Sequence, residues 1–380
     1  MSKPRKLPTS IDNRVASMHA VKPPDDHAAP EAIDFPRISL IDVAKHARVS
    51  TATVSRVLNN PETVREKKRE AVTRACEELG YVMNGAARAL SSKRSNTIGA
   101  VVPTIETQTF SRSLAAFQRR VNEAGYTLLL ASSGFDPSVE LAAVTTLLGH
   151  GIDALMIVGH THDPRMWERI QRRRIPCIQT LTLDKQHPSI GYDNAAVGHL
   201  IADHLIQLGH RHLGVIVGTP PSNDRVSDRI RGIRKRLAGS GLTLPASRVV
   251  GDAFTLMEAR QAALRLLDVK GEVPTAIMCG NDQLAFGVLL AAAAKGLRVP
   301  EDLSVVGFNN YDFAANLSPP LTTVNVDLIQ LGQQAADYLL KQLQGPAISV
   351  PMARIETALI VRSSTGPAPK APSRRRLKTA

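Results

Sequence analysis

The spacing of apolar residues predicts a small helical domain followed by a larger α/β body. Residues 37–82 carry apolar side chains every three or four positions, which indicates three short helices. Ser39 and Asp42 have the spacing of a capping box, so they begin the first helix. The third helix runs from about Glu66 to Leu79 and stops before Gly80, because glycine is the residue that most often closes a helix.

After Thr97 the pattern changes to short apolar runs that alternate with amphipathic segments. The predicted strands are 98–103, 126–132, 153–158, 176–180, 213–217, 275–279 and 303–308. The helix-length segments between them include 194–208, 225–238, 255–267 and 281–294. Apolar strands separated by helices are typical of a parallel sheet covered on both faces. The series is too long for one sheet, so we expect two doubly wound subdomains.

Segments without core-forming periodicity flank these domains. Residues 1–36 contain six prolines and no repeating apolar pattern, which predicts a disordered N-terminal arm. Residues 84–96 hold a short patch and a polar linker, and residues 365–380 predict a disordered basic tail. The prolines at 367, 369 and 372 interrupt any heptad zipper there, so we do not expect a coiled-coil tetramer.

The charge distribution favours a polyanionic partner. The chain of 380 residues has a formal net charge of +13. Residues 37–94 carry twelve Lys or Arg against six acids, and from Arg362 onwards there are six basic residues and no acid. Nearly all of the excess therefore lies in the helical domain and the tail, as expected if the helical domain contacts nucleic acid.

Several function classes are disfavoured by what the sequence lacks. Cys76, Cys177 and Cys279 are far apart and form no CxxC pair, so we expect neither disulfides nor a zinc site. No apolar run reaches about 18 residues, and the first 36 residues have no apolar signal segment. We therefore expect a cytoplasmic protein with no membrane partner. No GxGxxG or Walker pattern follows a strand and no catalytic constellation stands out, so we predict no cofactor and no enzyme activity.

Two helices joined by a tight break at Arg48-Val49-Ser50 are typical of a helix-turn-helix DNA reader. A core of small apolar residues lets the two helices cross closely, and short hydroxyls at the start of the second helix suit phosphates and bases. That core is formed by Val43, Ala44, Ala47, Val49, Val54 and Val57. The alternative from the pattern alone is a plain three-helix bundle.

The segments IDVAKHARVSTATVSRVLNN and ELGYVMNGAARAL closely resemble the lactose-repressor and purine-repressor (LacI) family of bacterial transcription regulators. The resemblance extends from about Ile38 to Ser364 through GYTLLLASSGFD, GIDALMIVG, GHRHLGVIVG, RIRGIRKRL, CGNDQLAFG and SPPLTTV. It implies a helix-turn-helix domain at 37–83, a hinge helix and linker at 84–96, and an effector-binding and dimerisation domain at 97–364. In that domain the N-subdomain would span about 97–192 and 324–345, and the C-subdomain about 193–323 and 346–364.

The resemblance assigns DNA-binding roles within the second helix. Thr51, Ala52 and Arg56 would read bases in the major groove, and Thr53 and Ser55 would position phosphates. Ala52 could touch only a thymine methyl, whereas Arg56 is long enough for a bidentate contact with guanine.

The segment GAARALSS matches the family's hinge helix, which forms on operator DNA. Leu90 would wedge into the minor groove at the central step, with Ala87 and Arg88 beside it. A helix this short is marginal alone, and the unstacking caused by an inserted leucine is offset by the added contacts of bent DNA. A linker with an incidental leucine is the alternative.

The remainder resembles a periplasmic-binding-protein-like body with a small effector between two lobes. The resemblance predicts that the effector is bound by Phe110, Asn223, Arg225, Arg229, Asn281 and Asn309. Arg229 matches the arginine that clasps the effector, and Phe110 matches an aromatic residue that packs on it. Asn309 is a departure, because many sugar- and purine-binding members have an aspartate there. The arginines then favour an anionic or polyhydroxylated ligand, such as the sugar acid gluconate, although Asn309 would also suit a neutral sugar.

Three further groups are interpreted as structural. Asp282 is expected to cap the helix after Asn281. The run from Gly159 to Asp163 contains two histidines at a spacing that a metal could use, but we expect surface or rim histidines there. His210-Arg211-His212 matches a family turn between a helix and a strand.

These observations predict a homodimeric transcription factor, most simply a repressor, that binds a near-palindromic operator and responds to a small effector. Whether the ligand acts as an inducer or as a corepressor stays open, as does activation against repression. A solute-binding protein for sugar uptake shares the two-lobed body but would lack the helix-turn-helix. A sugar-metabolising enzyme would require a phosphate loop, a catalytic pair or a metal cluster.

Overall fold

The computed structural model describes residues 38–83, 94–218, 223–269, 273–345 and 352–370. The predicted N-terminal arm, the hinge residues Ala87, Arg88 and Leu90, and residues 371–380 of the tail lie outside these ranges. The chain divides between Asn84 and Gly85 into two units.

The first unit is a three-helix domain. Its helices are α1 (Leu40–His46), α2 (Thr51–Asn59) and α3 (Glu66–Leu79), with a 3-10 turn at Pro61–Thr63. The predicted capping box is confirmed, because Asp42 N donates to Ser39 Oγ and Ser39 N donates to the Asp42 carboxylate at 2.9 Å. Helix α3 ends as predicted at Gly80, whose φ of 62° lies in the left-handed region.

Small aliphatic side chains hold the three helices together. The buried core consists of Val43, Ala44, Val54, Val57, Val72 and Ala75. The chain turns sharply between α1 and α2 because Arg48 adopts a φ of 52°, and Val49 N donates to Ala44 O at 3.0 Å. Ser50 then caps α2 by accepting a hydrogen bond from Thr53 N at 3.2 Å. The break in the sequence pattern is therefore a tight turn that orients α2 against α1.

The second unit is built from two parallel sheets with helices on their faces, which confirms the predicted fold class. The strands are β1 (Thr97–Val102), β2 (Thr127–Ser132), β3 (Ala154–Val158), β4 (Cys177–Thr180), β5 (Ser189–Gly191), β6 (Leu213–Ile216), β7 (Val249–Val250), β8 (Ala276–Cys279), β9 (Ser304–Phe308), β10 (Thr322–Val326), β11 (Met352–Arg354) and β12 (Thr357–Ile360). The helices are α4 (Gln108–Glu123), α5 (Pro137–Gly149), α6 (Pro164–Arg173), α7 (Asn194–Gln207), α8 (Asp224–Ala238), α9 (Leu256–Leu267), α10 (Asp282–Ala294) and α11 (Leu328–Gln344), with 3-10 turns at Ala246–Arg248 and Ala314–Asn316.

Each sheet defines one lobe. The first has the strand order β11-β5-β4-β3-β1-β2 and the second β12-β10-β9-β8-β6-β7. All neighbouring strands are parallel except β10 and β12. The strand order reverses beside β1 in the first sheet and beside β6 in the second. Ligands of such sheets bind beyond the carboxyl ends of the strands at these points.

The chain passes between the lobes three times, and two of the expected lobe boundaries are wrong. Residues 324–326 were expected in the first lobe, but β10 pairs with β9 and β12 of the second sheet. Residues 346–364 were expected in the second lobe, but β11 pairs with β5 of the first sheet. A three-residue strand is too short to show an alternating pattern, so the sequence did not reveal this crossing.

The expectation of a disordered tail is wrong for its first six residues. Residues 365–370 are described and run along the second lobe: Gly366 N donates to Ser304 Oγ at 3.1 Å, and Ala368 N donates to Leu208 O at 2.8 Å. These backbone hydrogen bonds need no apolar periodicity, which explains why the sequence pattern missed them. The structural role expected for His210 is confirmed, because the buried ring hydrogen-bonds to Ser304 Oγ at 3.0 Å and to Gly366 O at 3.1 Å.

Candidate DNA-reading helix and effector pocket

Helix α2 presents a polar surface at its N-terminal end. Thr51, Ala52 and Arg56 are exposed, whereas Thr53 and Ser55 are half-buried. Over the described part of the chain Arg56 forms no ion pair, so its guanidinium is available to a ligand. The N-terminus of a helix also attracts phosphate, because its first N–H groups lack partners within the helix.

The two half-buried hydroxyls are already engaged within the helix. Thr53 Oγ1 lies 2.9 Å from Ser50 Oγ, and Ser55 Oγ accepts a hydrogen bond from Asn59 Nδ2 at 3.3 Å. Each hydroxyl keeps further hydrogen-bonding capacity for a phosphate. The intrahelical bonds fix the direction of these side chains.

In the second unit, a cavity of about 400 Å³ lies at the carboxyl ends of the strands of both sheets. All six predicted effector residues line it: Phe110 from α4 of the first lobe, and Asn223, Arg225, Arg229, Asn281 and Asn309 from the second lobe. The residues are brought together from widely separated segments because the strand ends of the two lobes face one another. The volume suits a small molecule.

Arg229 is the principal charged group of the cavity. Its Nη1 donates to Gly280 O at 3.1 Å, its Nη2 donates to Asn194 Oδ1 at 2.9 Å, and its Cζ lies 3.7 Å above the Phe308 ring. Burial lowers the pKa of Arg229 to about 10, so the side chain remains protonated at neutral pH. Within the described ranges no carboxylate pairs with it and its Nε has no hydrogen-bond partner. A buried cation without an acid partner favours a negatively charged ligand.

Arg225, in contrast, has a protein counter-ion. Its Nη1 lies 3.1 Å from Asp224 Oδ1, and both side chains are nearly inaccessible to solvent. The Asp224 carboxylate also accepts hydrogen bonds from the backbone N–H groups of His160 and Thr161 in the first lobe. Burial alone would raise the pKa of Asp224, but the Arg225 guanidinium and these N–H groups hold it below its usual value.

Comparison with known proteins agrees with both halves of this arrangement. A family model described as bacterial regulatory proteins, lacI family, matches residues 39–84, and one described as a periplasmic binding protein-like domain matches residues 202–365. The HTH-type transcriptional regulator DegA of Bacillus subtilis (strain 168) is 31% identical over 337 residues, covering 87% of this chain and 99% of that protein. The chain belongs to the lacI family of bacterial regulatory proteins.

Two further relatives place this LacI-family member among DNA-binding regulators. The HTH-type transcriptional repressor CytR of Escherichia coli (strain K12) is 31% identical over 328 residues, covering 85% of this chain and 95% of that protein. The crystal structure of the lac repressor dimer bound to operator and the anti-inducer ONPF superimposes with a TM-score of 0.74 at 31% identity, covering 87% of this chain and 99% of that one. The chain is therefore a DNA-binding transcriptional regulator.

The three asparagines of this LacI-family pocket form different hydrogen bonds. Asn223 and Asn281 cap helices α8 and α10, because their side-chain oxygens accept hydrogen bonds from Val226 N at 3.4 Å and Leu284 N at 2.9 Å. Asn309 instead donates from Nδ2 to Thr109 Oγ1 of the first lobe at 2.7 Å. Its buried Oδ1 has no partner in the described part of the protein, so it can accept a hydrogen bond from a ligand.

The expected cap at Asp282 is wrong, since Asn281 occupies the capping position. Asp282 is instead buried behind the pocket, where its carboxylate accepts hydrogen bonds from Tyr311 N at 2.5 Å and Thr323 Oγ1 at 2.6 Å. Burial raises the pKa of Asp282 to about 7. Asp282 thus anchors the turn that carries Asn309, while the Tyr311 hydroxyl lies 2.6 Å from Thr109 Oγ1 across the lobes.

Apart from Phe110, the sequence missed the aromatic residues of the pocket. Phe110 packs edge-on against Phe135 with ring centroids 6.3 Å apart, and Phe135 lies 5.8 Å from Phe254. Phe135 and Phe254 follow β2 and β7, so the rule that ligands bind at carboxyl strand ends could have found them. Together with Phe308, which lies beneath Arg229, these rings give the cavity an apolar lining beside its charged groups.

The expectation of surface or rim histidines after β3 is wrong for His162. Its side chain is buried, with Nδ1 2.8 Å from Glu140 Oε2 and Nε2 3.1 Å from Gly159 O. His160 is half-buried, and its Nδ1 lies 2.8 Å from Thr182 Oγ1. Over the residues that the structure describes, no three His, Cys, Asp or Glu side chains gather as metal ligands.

None of the helices in the described ranges has the length and apolar composition needed to cross a membrane.

Proposed function

We propose that this LacI-family regulator is a homodimeric repressor that binds a near-palindromic operator through α2 and is controlled by a sugar or sugar acid. The controlling ligand would bind in the cavity between the lobes, with gluconate as the representative anionic candidate. The roles given above to the residues of α2 and of the pocket are part of this proposal. A helix with an exposed polar N-terminal end and a ligand-sized cavity in one chain support a coupling between two distinct sites.

The observation that carries the ligand half is the buried guanidinium of Arg229 without an acid partner in the described ranges. A carboxylate would balance this charge and accept bidentate hydrogen bonds from the fork-shaped donor. The hydroxyl groups of a sugar acid suit the free Oδ1 of Asn309. The apolar ring faces of Phe110 and Phe135 suit the carbon-bound hydrogens of a sugar chain.

The ligand would regulate operator binding if the lobes adopt two arrangements that bind the ligand with different affinity. A ligand that favours the arrangement with weaker operator binding acts as an inducer, and one that favours the opposite arrangement acts as a corepressor. We propose the inducer direction. The lac repressor structure with operator and an anti-inducer concerns a relative with this fold, and provides the precedent for both sites in one molecule.

The experiment selects operator sequences with the full-length protein from random duplexes, then measures binding to the best inverted repeat with and without ligand. Glucose and gluconate form a matched pair that differs in charge. We expect gluconate to stabilise the protein in a thermal-shift assay and to weaken operator binding. The Arg229→Met variant removes the charge while retaining much of the side chain's volume, so it should bind operator normally and ignore gluconate.

Two results would contradict the proposal in separate ways. The absence of any preference for inverted-repeat DNA over random duplex would refute operator recognition. An Arg229→Met variant that still responds to gluconate would show that the ligand binds elsewhere. Arg231→Met is the matched control, because this exposed arginine on the same helix pairs with Asp228 at 2.7 Å.

A further inference from the structure

We infer that Asp224 sets the charge class of the ligand, so that the pocket favours a molecule with one negative charge over a neutral or doubly charged one. This inference rests on the proposed function, because it assumes that the cavity between the lobes is the effector site. It assigns a specificity role to a residue that does not itself line the cavity. The ligand class is a small carboxylate rather than a phosphate monoester.

The charged groups around the cavity nearly balance one another. Two guanidinium groups, those of Arg225 and Arg229, line the interior. The Asp224 carboxylate lies 3.1 Å from Arg225 Nη1 and compensates that cation. Glu106 also lines the cavity but is exposed, so water screens its charge. The His160 ring also touches the Asp224 carboxylate, with Nδ1 3.2 Å from Asp224 Oδ2. Among the guanidinium and carboxylate groups, one buried positive charge remains for the ligand, at Arg229.

Several hydrogen bonds keep the Asp224 carboxylate next to Arg225. Its carboxylate accepts hydrogen bonds from Arg225 N at 2.6 Å, from Thr161 N at 2.9 Å and from His160 N. Only 5% of the Asp224 side chain is exposed. Turning it away would leave the buried Arg225 N–H group and the partly buried N–H groups of His160 and Thr161 without this acceptor.

The first lobe is shaped around this ion pair. Gly159 adopts a φ of 93°, and a Cβ atom there would overlap Arg225 Nη1 and lie 2.9 Å from Asp224 Oδ2. A residue with a side chain at this position would therefore displace the ion pair. The close approach of the Gly159 backbone is independent of the hydrogen bonds, and it places the first lobe directly against the Asp224–Arg225 pair.

The consequence for ligand choice is electrostatic. A carboxylate against Arg229 leaves the buried site neutral, whereas a neutral sugar leaves the guanidinium without a counter-ion. A phosphate monoester carries about two negative charges near pH 7. Its second charge would find no unbalanced cation, because Asp224 already compensates Arg225, and the nearby Asp224 carboxylate would repel it in a site of low dielectric constant.

The test measures binding of glucose, gluconate and glucose 6-phosphate to the full-length protein by isothermal titration calorimetry. We expect the wild type to bind gluconate most tightly. Asp224→Asn keeps the shape and one acceptor oxygen for the backbone N–H groups but removes the charge. It should shift the affinity ratio toward glucose 6-phosphate by about tenfold or more relative to gluconate.

A second variant moves the charge in the opposite direction. Arg225→Gln leaves the charges of Asp224 and Arg229 to balance each other. It should therefore lower the affinity for gluconate until it approaches the affinity for glucose. The matched control is Asp228→Asn, which makes the same change on the same helix, where Asp228 pairs with the exposed Arg231. Asp228→Asn should keep the wild-type order of affinities.

The outcomes separate this inference from the proposed function. If the wild type binds none of the three ligands, the proposed sugar or sugar-acid site fails, and the inference fails with it. If gluconate binds but neither Asp224→Asn nor Arg225→Gln changes the order of affinities, the effector site stands and the role of Asp224 is refuted. Unfolding midpoints of both variants show whether a lost affinity reflects lost structure.

Discussion

Gly198→Ala adds one methyl group where helices α7 and α8 touch, and it tests how the pocket is held. A Cβ atom at Gly198 would overlap the carbonyl oxygen of Arg229 and lie 2.9 Å from its carbonyl carbon and 3.1 Å from Ile233 N. On the facing helix, a Cβ atom at Gly232 would overlap the backbone of Ala195. The two glycines therefore allow backbone-to-backbone contact, and the alanine must push the helices apart.

The magnitude follows from these distances. Ordinary contact between carbon atoms begins at about 3.5 Å, so the helices must separate by about 1 Å. Overpacking of this kind costs about 1–3 kcal/mol, and the better helix propensity of alanine returns at most about 1 kcal/mol. We expect a net loss of about 1–2 kcal/mol in the free energy of unfolding. A shift of 1 Å at Arg229 would also break its 3.1 Å hydrogen bond to Gly280 O.

The assay combines urea unfolding with ligand titration of the full-length protein. Gly198→Ala should unfold at a lower urea concentration and bind the ligand more weakly than the wild type. Gly239→Ala is the control, because Gly239 ends α8 with a φ of −63° and the nearest neighbour of its Cβ would be 3.5 Å away. If Gly198→Ala matches the wild type in both measurements, the close contact of the two helices does not position Arg229.

Two more predictions concern Asp282 and Arg56. Because burial raises the pKa of Asp282 to about 7, the folded protein holds a proton there that the unfolded chain has lost above about pH 4. The free energy of unfolding should therefore fall between pH 5 and pH 8 by about 3 kcal/mol from this group, and Asp282→Asn should lack that part of the pH dependence in urea unfolding. An Asn variant with the full wild-type dependence would contradict the assignment. Arg56→Ala should relax base preference at one position of each half-site, a loss of about 1–3 kcal/mol of discrimination. The control Arg74→Ala, at an exposed arginine of α3, should change binding to all sequences alike. Selection of bound duplexes distinguishes the two, and an unchanged base preference for Arg56→Ala would show that Arg56 does not read bases.

The parts of the fold that the sequence predicted are those with long, regular patterns. Each of the seven predicted strands corresponds to an observed strand with ends that differ by no more than one residue. Strands β5, β7 and β11 have only two or three residues and are held by hydrogen bonds to neighbours, so their sequences carry no usable periodicity. The third crossing between the lobes was misplaced for that reason.

The pocket was predicted in part because several of its residues belong to recognisable motifs. Arg229 opens RIRGIRKRL, and Phe110 was assigned by the resemblance. Asp224 carried no such signal, because its contacts with His160 and Thr161 join residues more than 60 positions apart. A carboxylate in the first turn of a helix is usually explained by the helix dipole alone. Its position next to Arg225 was the only local indication of an ion pair.

The hydrogen bonds between the lobes keep two polar atoms buried inside the cavity. Asp224 bridges the lobes through the 159–161 loop, and Asn309 and Tyr311 bridge them through Thr109. These bonds keep Arg229 Nε and Asn309 Oδ1 buried, and among the described residues neither atom has a partner. Each such group costs about 1–3 kcal/mol until a ligand satisfies it. Under the proposed function, a ligand that pairs with both atoms would recover this free energy only while these bonds between the lobes persist. That would supply the difference in affinity between two states that any shift of population requires.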